Sequence, residues 1–312
     1  MGELIVLHLI AVSILMDIFW QLLRKVFRNR SSCRGIVIGR KLYGCGILPI
    51  VVTAVFLVYG SWNMNHVVRT EYNVATDKNI GNYKILLITD THYDTIQDTK
   101  VLKEKVNEMN AEAPDIVILG GDIVEEDTSK EAMQEVFQIL GGLENTYGIY
   151  YVYGNHDRQP YTEQRSYTDE ELENAILENQ ITILEDSYEV INDELILAGR
   201  ADAAWGNSSN RASVEEILAD VDREKYIIMA DHQPIEAEEN NAQGVDLELS
   251  GHTHAGQLWP VGVLSELTGV LNYGEYQEEN CKVIVSSGFT GWGYPIRTEE
   301  HCEYVLINVT SH

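Results

Sequence analysis

Residues 84–92 read KILLITDTH, an unbroken apolar run of strand length that ends on an aspartate and a histidine two positions apart. A run without polar alternation is the pattern of a strand covered on both faces. The same ending recurs. Residues 115–119 (DIVIL) lead to Gly121-Asp122, and residues 149–153 (IYYVY) to Gly154-Asn155-His156-Asp157. Residues 226–230 (YIIMA) lead to His232, and residues 245–249 (VDLEL) to Gly251-His252-Thr253-His254. Between the first three runs lie two helical patterns, 98–110 with Leu102, Val106 and Met109 on one face, and 130–143 with Met133, Phe137 and Leu140. The β-α-β-α-β order predicts an α/β domain on a parallel core, with a ligand site just beyond the C-terminal strand ends. One Asp-x-His or Gly-Asp would be ordinary loop chemistry. Five such endings in order define one site.

Imidazole nitrogens with carboxylate and amide oxygens suit Mn, Fe or Zn, and the absence of cysteine among them argues against a structural zinc site. Two divalent ions about 3.5–4 Å apart would clamp the attacking and leaving oxygens of a displacement. One ligand must then touch both. Aspartate offers two oxygens and asparagine one neutral acceptor, so Asp122 is the better bridge and Asn155 the better terminal ligand. Water shared by two cations loses a proton near neutral pH and becomes a nucleophile. One histidine should stay free to give a proton to the leaving group.

These residues resemble the calcineurin-like metallophosphoesterase superfamily, whose pattern D-x-H, G-D, G-N-H-D/E, H, G-H-x-H is filled at every position. The chain is similar in particular to the membrane-associated bacterial YkuE/YaeI-type branch, through ITDTH, LGGDIV, GNHD, HQP, GHTHAGQLWP and SSGFTGWGYPIR over residues 70–310. The resemblance implies a four-layer α/β/β/α sandwich over residues 83–312. It implies one metal held by Asp90, His92, Asp122 and His254, a second by Asp122, Asn155, His232 and His252, and His156 as proton donor. The activity it implies is hydrolysis of a phosphodiester, pyrophosphate or lipid-linked phosphate. A non-catalytic metal-binding scaffold and a phosphomonoesterase or nucleotidase remain the alternatives. Asp157 either orients His156 or its loop or serves structure, and Arg200 and Arg297 either approach phosphate or pair with carboxylates.

Two apolar stretches precede this domain, residues 4–23 and 42–62, each near the length of about 20 residues that a helix needs to cross a bilayer. The first carries Asp17; the second has no charge. Between them, residues 24–41 hold Arg24, Lys25, Arg28, Arg30, Arg34, Arg40 and Lys41 and no acid. Short basic loops stay cytoplasmic. Residues 1–62 are therefore expected to be an anchor of two transmembrane helices, residues 63–82 a linker with an edge strand, and the main domain extracytoplasmic whether or not the first stretch spans.

The whole chain of 312 residues has 22 Lys and Arg against 49 Asp and Glu, a net charge of −27. Because the anchor is basic, the domain is more acidic still. It has no basic stripe for a nucleic-acid polymer, so an anionic substrate, small molecule or lipid, must be drawn in locally by bound cations. The cysteines, Cys33, Cys45, Cys281 and Cys302, form no CxxC pair. On the extracytoplasmic side Cys281 and Cys302 are either bridged or two free thiols.

Overall fold

The computed structural model describes residues 2–26, 34–203 and 211–311. Arg28, Arg30 and Cys33, in the expected basic loop, lie outside the described residues. The chain divides into two compact units, Met1–Trp62 and Asn63–His312.

Three helices open the chain, α1 (Gly2–Val26), α2 (Arg34–Gly44) and α3 (Ile47–Met64). Of the two expected spans, one is a candidate among the described residues: α3 is long and apolar enough to cross a membrane, whereas the apolar part of α1, Leu9–Leu23, is shorter. Nor does the second stretch run unbroken from residue 42. Gly46 takes φ 74°, a left-handed conformation that glycine adopts without steric cost, so the helix restarts at Ile47 and continues to Met64.

The second unit contains, in chain order, β1 (Val67–Thr76), β2 (Tyr83–Ile88), α4 (Thr99–Ala111), β3 (Ile116–Leu119), α5 (Lys130–Leu140), β4 (Gly148–Tyr151), α6 (Asp169–Glu178) and β5 (Ile181–Ile183). There follow β6 (Ser187–Val190), β7 (Leu195–Gly199), α7 (Val214–Ile217), β8 (Tyr226–Ala230), α8 (Ala237–Ala242) and β9 (Leu247–Ser250). The last elements are α9 (Val261–Leu267), β10 (Gly274–Glu278), β11 (Cys281–Val285) and β12 (Cys302–Ser311). The strands form two six-stranded sheets, ordered β1-β12-β2-β3-β4-β5 and β10-β11-β9-β8-β7-β6. Strands β2 to β5 are mutually parallel, as are β7, β8 and β9. The sheets are nevertheless mixed, since β12 runs antiparallel to β2, and β6 and β10 antiparallel to their neighbours. Within residues 63–82, β1 is an edge strand that pairs with β12 along its full length.

Period-two alternation builds the layers. Along β2, Ile85 and Leu87 face Leu197, Ile228 and Leu249 of the other sheet, while Leu86 and Ile88 face Met109, Met133 and Phe137 of α4 and α5. A third apolar cluster joins the far face of the second sheet to α7 and α8. The result is the expected α/β/β/α sandwich. Side-chain caps start the helices: Asp98 accepts from Lys100 N at 3.0 Å and Ser129 from Ala132 N at 3.1 Å. Cys281 opens β11 and Cys302 opens β12, in different sheets; both are buried and unbridged.

Candidate active site

Each cluster leaves a strand at its C-terminal end: Asp90 and His92 after β2, Asp122 after β3, Asn155 and His156 after β4, His232 after β8, His252 and His254 after β9. Asp90, His92, Asp122, His252 and His254 all have positive φ, between 36° and 70°. Residues with a Cβ rarely enter this region, and such strain persists only where surrounding contacts enforce it. Those contacts are main-chain bonds between the loops, Asp90 N to Gly121 O at 2.9 Å, His92 N to Asp122 O at 3.1 Å and Gly251 N to His232 O at 3.0 Å. Two glycines permit the approach. A Cβ on Gly154 would collide with the Asp122 carboxylate, and one on Gly251 with that of Asp90.

Two groups of ligand atoms result, Asp90 with His92 and His254, and Asp122 with His232 and His252, each set lying within 4.8 Å of one another. Asp122 Oδ2 is 3.1 Å from His232 Nε2 and 4.0 Å from His92 Nε2, so this carboxylate stands between the groups. Asn155 Oδ1 is buried without a hydrogen-bond partner.

The donor set fits cations. His232 Nδ1 lies 2.8 Å from Gly120 O and His254 Nδ1 3.1 Å from Thr290 O, which assigns both protons to Nδ1. His92 Nδ1 faces Glu125 Oε2 at 3.3 Å. The three Nε2 lone pairs therefore point inward. His92 Nε2 and His254 Nε2 face each other at 3.3 Å, and His232 Nε2 meets the Asp122 carboxylate with no hydrogen bond. Lone pairs opposed to lone pairs and to carboxylate oxygens repel unless positive charge sits among them, and a neutral imidazole whose other nitrogen is tied off is the form that binds metal.

Electrostatics show the same demand for positive charge, which a proton on an imidazole or a bound cation can meet. Burial opposes ionisation of Asp122, but the imidazoles of His232, His92 and His156 outweigh it and hold the carboxyl far below its usual range. Burial likewise opposes charging of His232, yet Asp122 and Asp90 lift it well above the ordinary value. The pocket recruits positive charge. His254 goes the other way: burial, with His92 and Arg297 adding to it against Asp90, brings it down to about 3 and keeps its lone pair available.

His156 sits beside both groups, its ring 5.5 Å from that of His92 and 5.2 Å from those of Tyr161 and Trp292. Its Nδ1 is 2.7 Å from Glu126 Oε2. Burial works to lower its pKa, but Glu126 and Asp122 raise it, so the ring favours the protonated form. Glu125 and Glu126 were not among the residues expected from sequence; their only signal is an acidic pair three and four positions after Asp122. Asp157 holds the loops rather than the imidazole. Its buried carboxylate accepts from Asp122 N, Ile123 N and Val124 N at 2.9, 2.9 and 3.1 Å and from Gly154 N at 2.6 Å. Neither arginine is on the surface. Arg297 donates to His254 O at 3.0 Å, His301 O at 3.3 Å, Ser287 O at 2.8 Å and Thr290 O at 2.8 Å, and Arg200 to Ala212 O and Glu236. Their Nη groups are engaged inside the protein, not turned to a phosphate.

A two-sheet α/β sandwich that gathers imidazoles and carboxylates into two cation-binding groups at its strand ends defines a class, the metal-dependent hydrolases. The family model for calcineurin-like phosphoesterases matches residues 83–256, more than half of the chain, and the chain belongs to that family. The family comprises metal-dependent phosphoric ester hydrolases with a dinuclear centre. An uncharacterised metallophosphoesterase of Campylobacter jejuni is 30% identical over 269 residues, 84% of this chain and 69% of that one. The transmembrane protein with metallophosphoesterase domain of Danio rerio is 29% identical over 296 residues, 90% of this chain and 65% of its own length. The uncharacterised metallophosphoesterase YkuE of Bacillus subtilis is 25% identical over 227 residues, 69% of this chain and 74% of that one.

Proposed function

We propose that the chain is a membrane-anchored phosphoesterase that holds two divalent ions, Mn, Fe or Zn, and hydrolyses a phosphodiester, pyrophosphate or lipid-linked phosphate. The observation that carries this reading is the position of Asp122, one carboxylate between two groups of inward-turned ligand atoms. Asp90, His92, His254 and Asp122 would hold one ion, and Asn155, His232, His252 and Asp122 the other. When bound, the ions acidify water and neutralise phosphate oxygens as charge builds on them. The protein does the rest. Glu126 fixes the His156 ring through Nδ1, leaving Nε2 to give a proton to the leaving oxygen. The flanking Trp292 and Tyr161 rings confine that imidazole.

Anchoring is supported by α3, and the basic residues before it support a cytoplasmic loop with the catalytic domain on the other side of the membrane. Full-length protein in detergent with Mn should hydrolyse a chromogenic phosphodiester. Asp122→Ala or His156→Gln should lower kcat/KM by about 10²–10⁴-fold, the range for loss of a catalytic group. Undiminished turnover would remove both residues from the mechanism. A panel of monoesters, diesters, nucleotide-sugar pyrophosphates and phospholipids then ranks the substrates.

A further inference from the structure

Beside the site, and sharing Trp292 with it, lies an apolar surface. Residues 255–274 contain one charged residue, Glu266, and residues 287–296 (SGFTGWGYPI) none, in a chain whose net charge is −27. Both stretches expose large apolar side chains. Leu267 is 79% exposed, Leu264 56%, Trp259 52% and Trp292 48%, with Val263 and Tyr294 close behind. The stretches form one surface. Gln257 donates to Tyr294 O and Ile296 O at 3.0 and 3.1 Å and accepts from Trp292 N at 2.8 Å, while Glu299 accepts from Gly262 N and Val263 N at 2.8 and 3.1 Å. A contiguous apolar patch of this kind marks a contact surface, whereas scattered apolar residues would not. The rim borders the proton donor, since the Trp292 ring is 5.2 Å from that of His156.

The attachment of the domain decides what covers it. Asn63 directly follows the apolar segment ending at Trp62, and its side-chain amide donates to Arg297 O at 3.2 Å and Glu300 O at 2.6 Å. Met64 Sδ accepts from Thr290 Oγ1 and Gly291 N at 3.3 and 3.2 Å. The chain thus enters the domain through the loop that bears Trp292 and Tyr294. Were the preceding segment in a bilayer, this short tether would hold the rim at the bilayer surface at high effective concentration. Tryptophan and tyrosine beside aliphatic residues is the composition that settles at the headgroup level. The lack of basic residues fits zwitterionic rather than anionic lipid.

We propose that this rim beds into the surface of the membrane that anchors the chain, so that the site receives phosphates carried at the lipid surface. The proposal rests on the anchoring put forward above. Its test uses the full chain with Trp20→Phe, Trp62→Phe and Trp205→Phe, so that Trp259 and Trp292 alone emit, in phosphatidylcholine nanodiscs. Nitroxide lipids labelled near the headgroup should at least halve the emission, and more strongly than deep labels, because interfacial side chains sit about 5–10 Å into the headgroup boundary. Adding Leu264→Glu and Leu267→Glu should restore at least half of the lost emission while hydrolysis of a soluble diester persists. A chain that migrates with the discs but is not quenched overturns the docking and leaves the anchor standing. Emission that depends on protein concentration and not on lipid label also overturns it, in favour of a second copy on the rim. A chain that does not migrate with the discs overturns both.

Discussion

The imidazoles of the site are braced in two ways. His92 and His156, on loops of the first sheet, turn Nδ1 toward the carboxylates Glu125 and Glu126; His232 and His254, on loops of the second, turn Nδ1 toward the main-chain carbonyls of Gly120 and Thr290. A carboxylate brace makes the imidazole more basic and is lost by changing one side chain. A carbonyl brace carries no net charge and moves only when the backbone moves. The first half of the site is therefore tunable residue by residue, and the second half is only as good as the loops that hold it. Arg297 fastens the His254 side of that half by its contacts to the carbonyls of His254, Ser287, Thr290 and His301.

The largest expected effect lies on the backbone-braced side. Arg297→Met removes four hydrogen bonds from a buried guanidinium to main-chain carbonyls and should cost about 3–5 kcal/mol of stability, with a lower Tm in a thermal melt and less Mn bound per chain. Full stability in this variant would break the contrast. On the carboxylate-braced side the fold should survive. Glu126→Gln should lower kcat by about 10- to 100-fold with an unchanged melt. The sign of its pH effect follows from the raised His156 pKa. A proton donor is lost as pH rises through its pKa, so removing Glu126 should move the alkaline limb of the kcat profile to lower pH. Glu125→Gln should weaken metal affinity by about tenfold, measured by titration, with a smaller effect on the limb.

A third carboxylate sharpens the comparison, because it is buried without an imidazole. Burial, aided by Asp231, raises Glu248 to about 7 against its hydrogen bonds from Asn240 and Ser250. Glu125 has the opposite shift, since His92 overcomes burial and lowers it. A raised folded-state pKa favours the native state while the group is protonated. Stability linked to Glu248 should thus be full below its unfolded pKa and fall as pH rises through about 7. Glu248→Gln should remove that slope, on the order of 3 kcal/mol between acid and pH 8, read from denaturant melts across pH.

The strands and the clustering of the candidate ligands were legible for one reason: strands buried on both faces leave unbroken apolar runs, and the polar clusters follow their ends. Residues 226–230 coincide with β8, and the other runs fall within two residues of their strands. The edge strands β6 and β10 were not legible, because half-exposed strands lose that apolar continuity. Glu125 and Glu126 were hidden for a related reason, since EED before a helix cap reads as a solvated loop although Glu125 is buried. The rim was hidden too. A seven-residue helix gives too little periodicity to show that its apolar side faces outward.

The left-handed backbone at Asp90, His92, Asp122, His252 and His254 has an evolutionary consequence. Asparagine and glycine accept that conformation readily, while β-branched residues resist it. Descendants that abandon the chemistry should therefore drift first to asparagine or glycine at these positions, losing the ions while the loops keep their shape. Lineages of this domain can fall silent without coming apart.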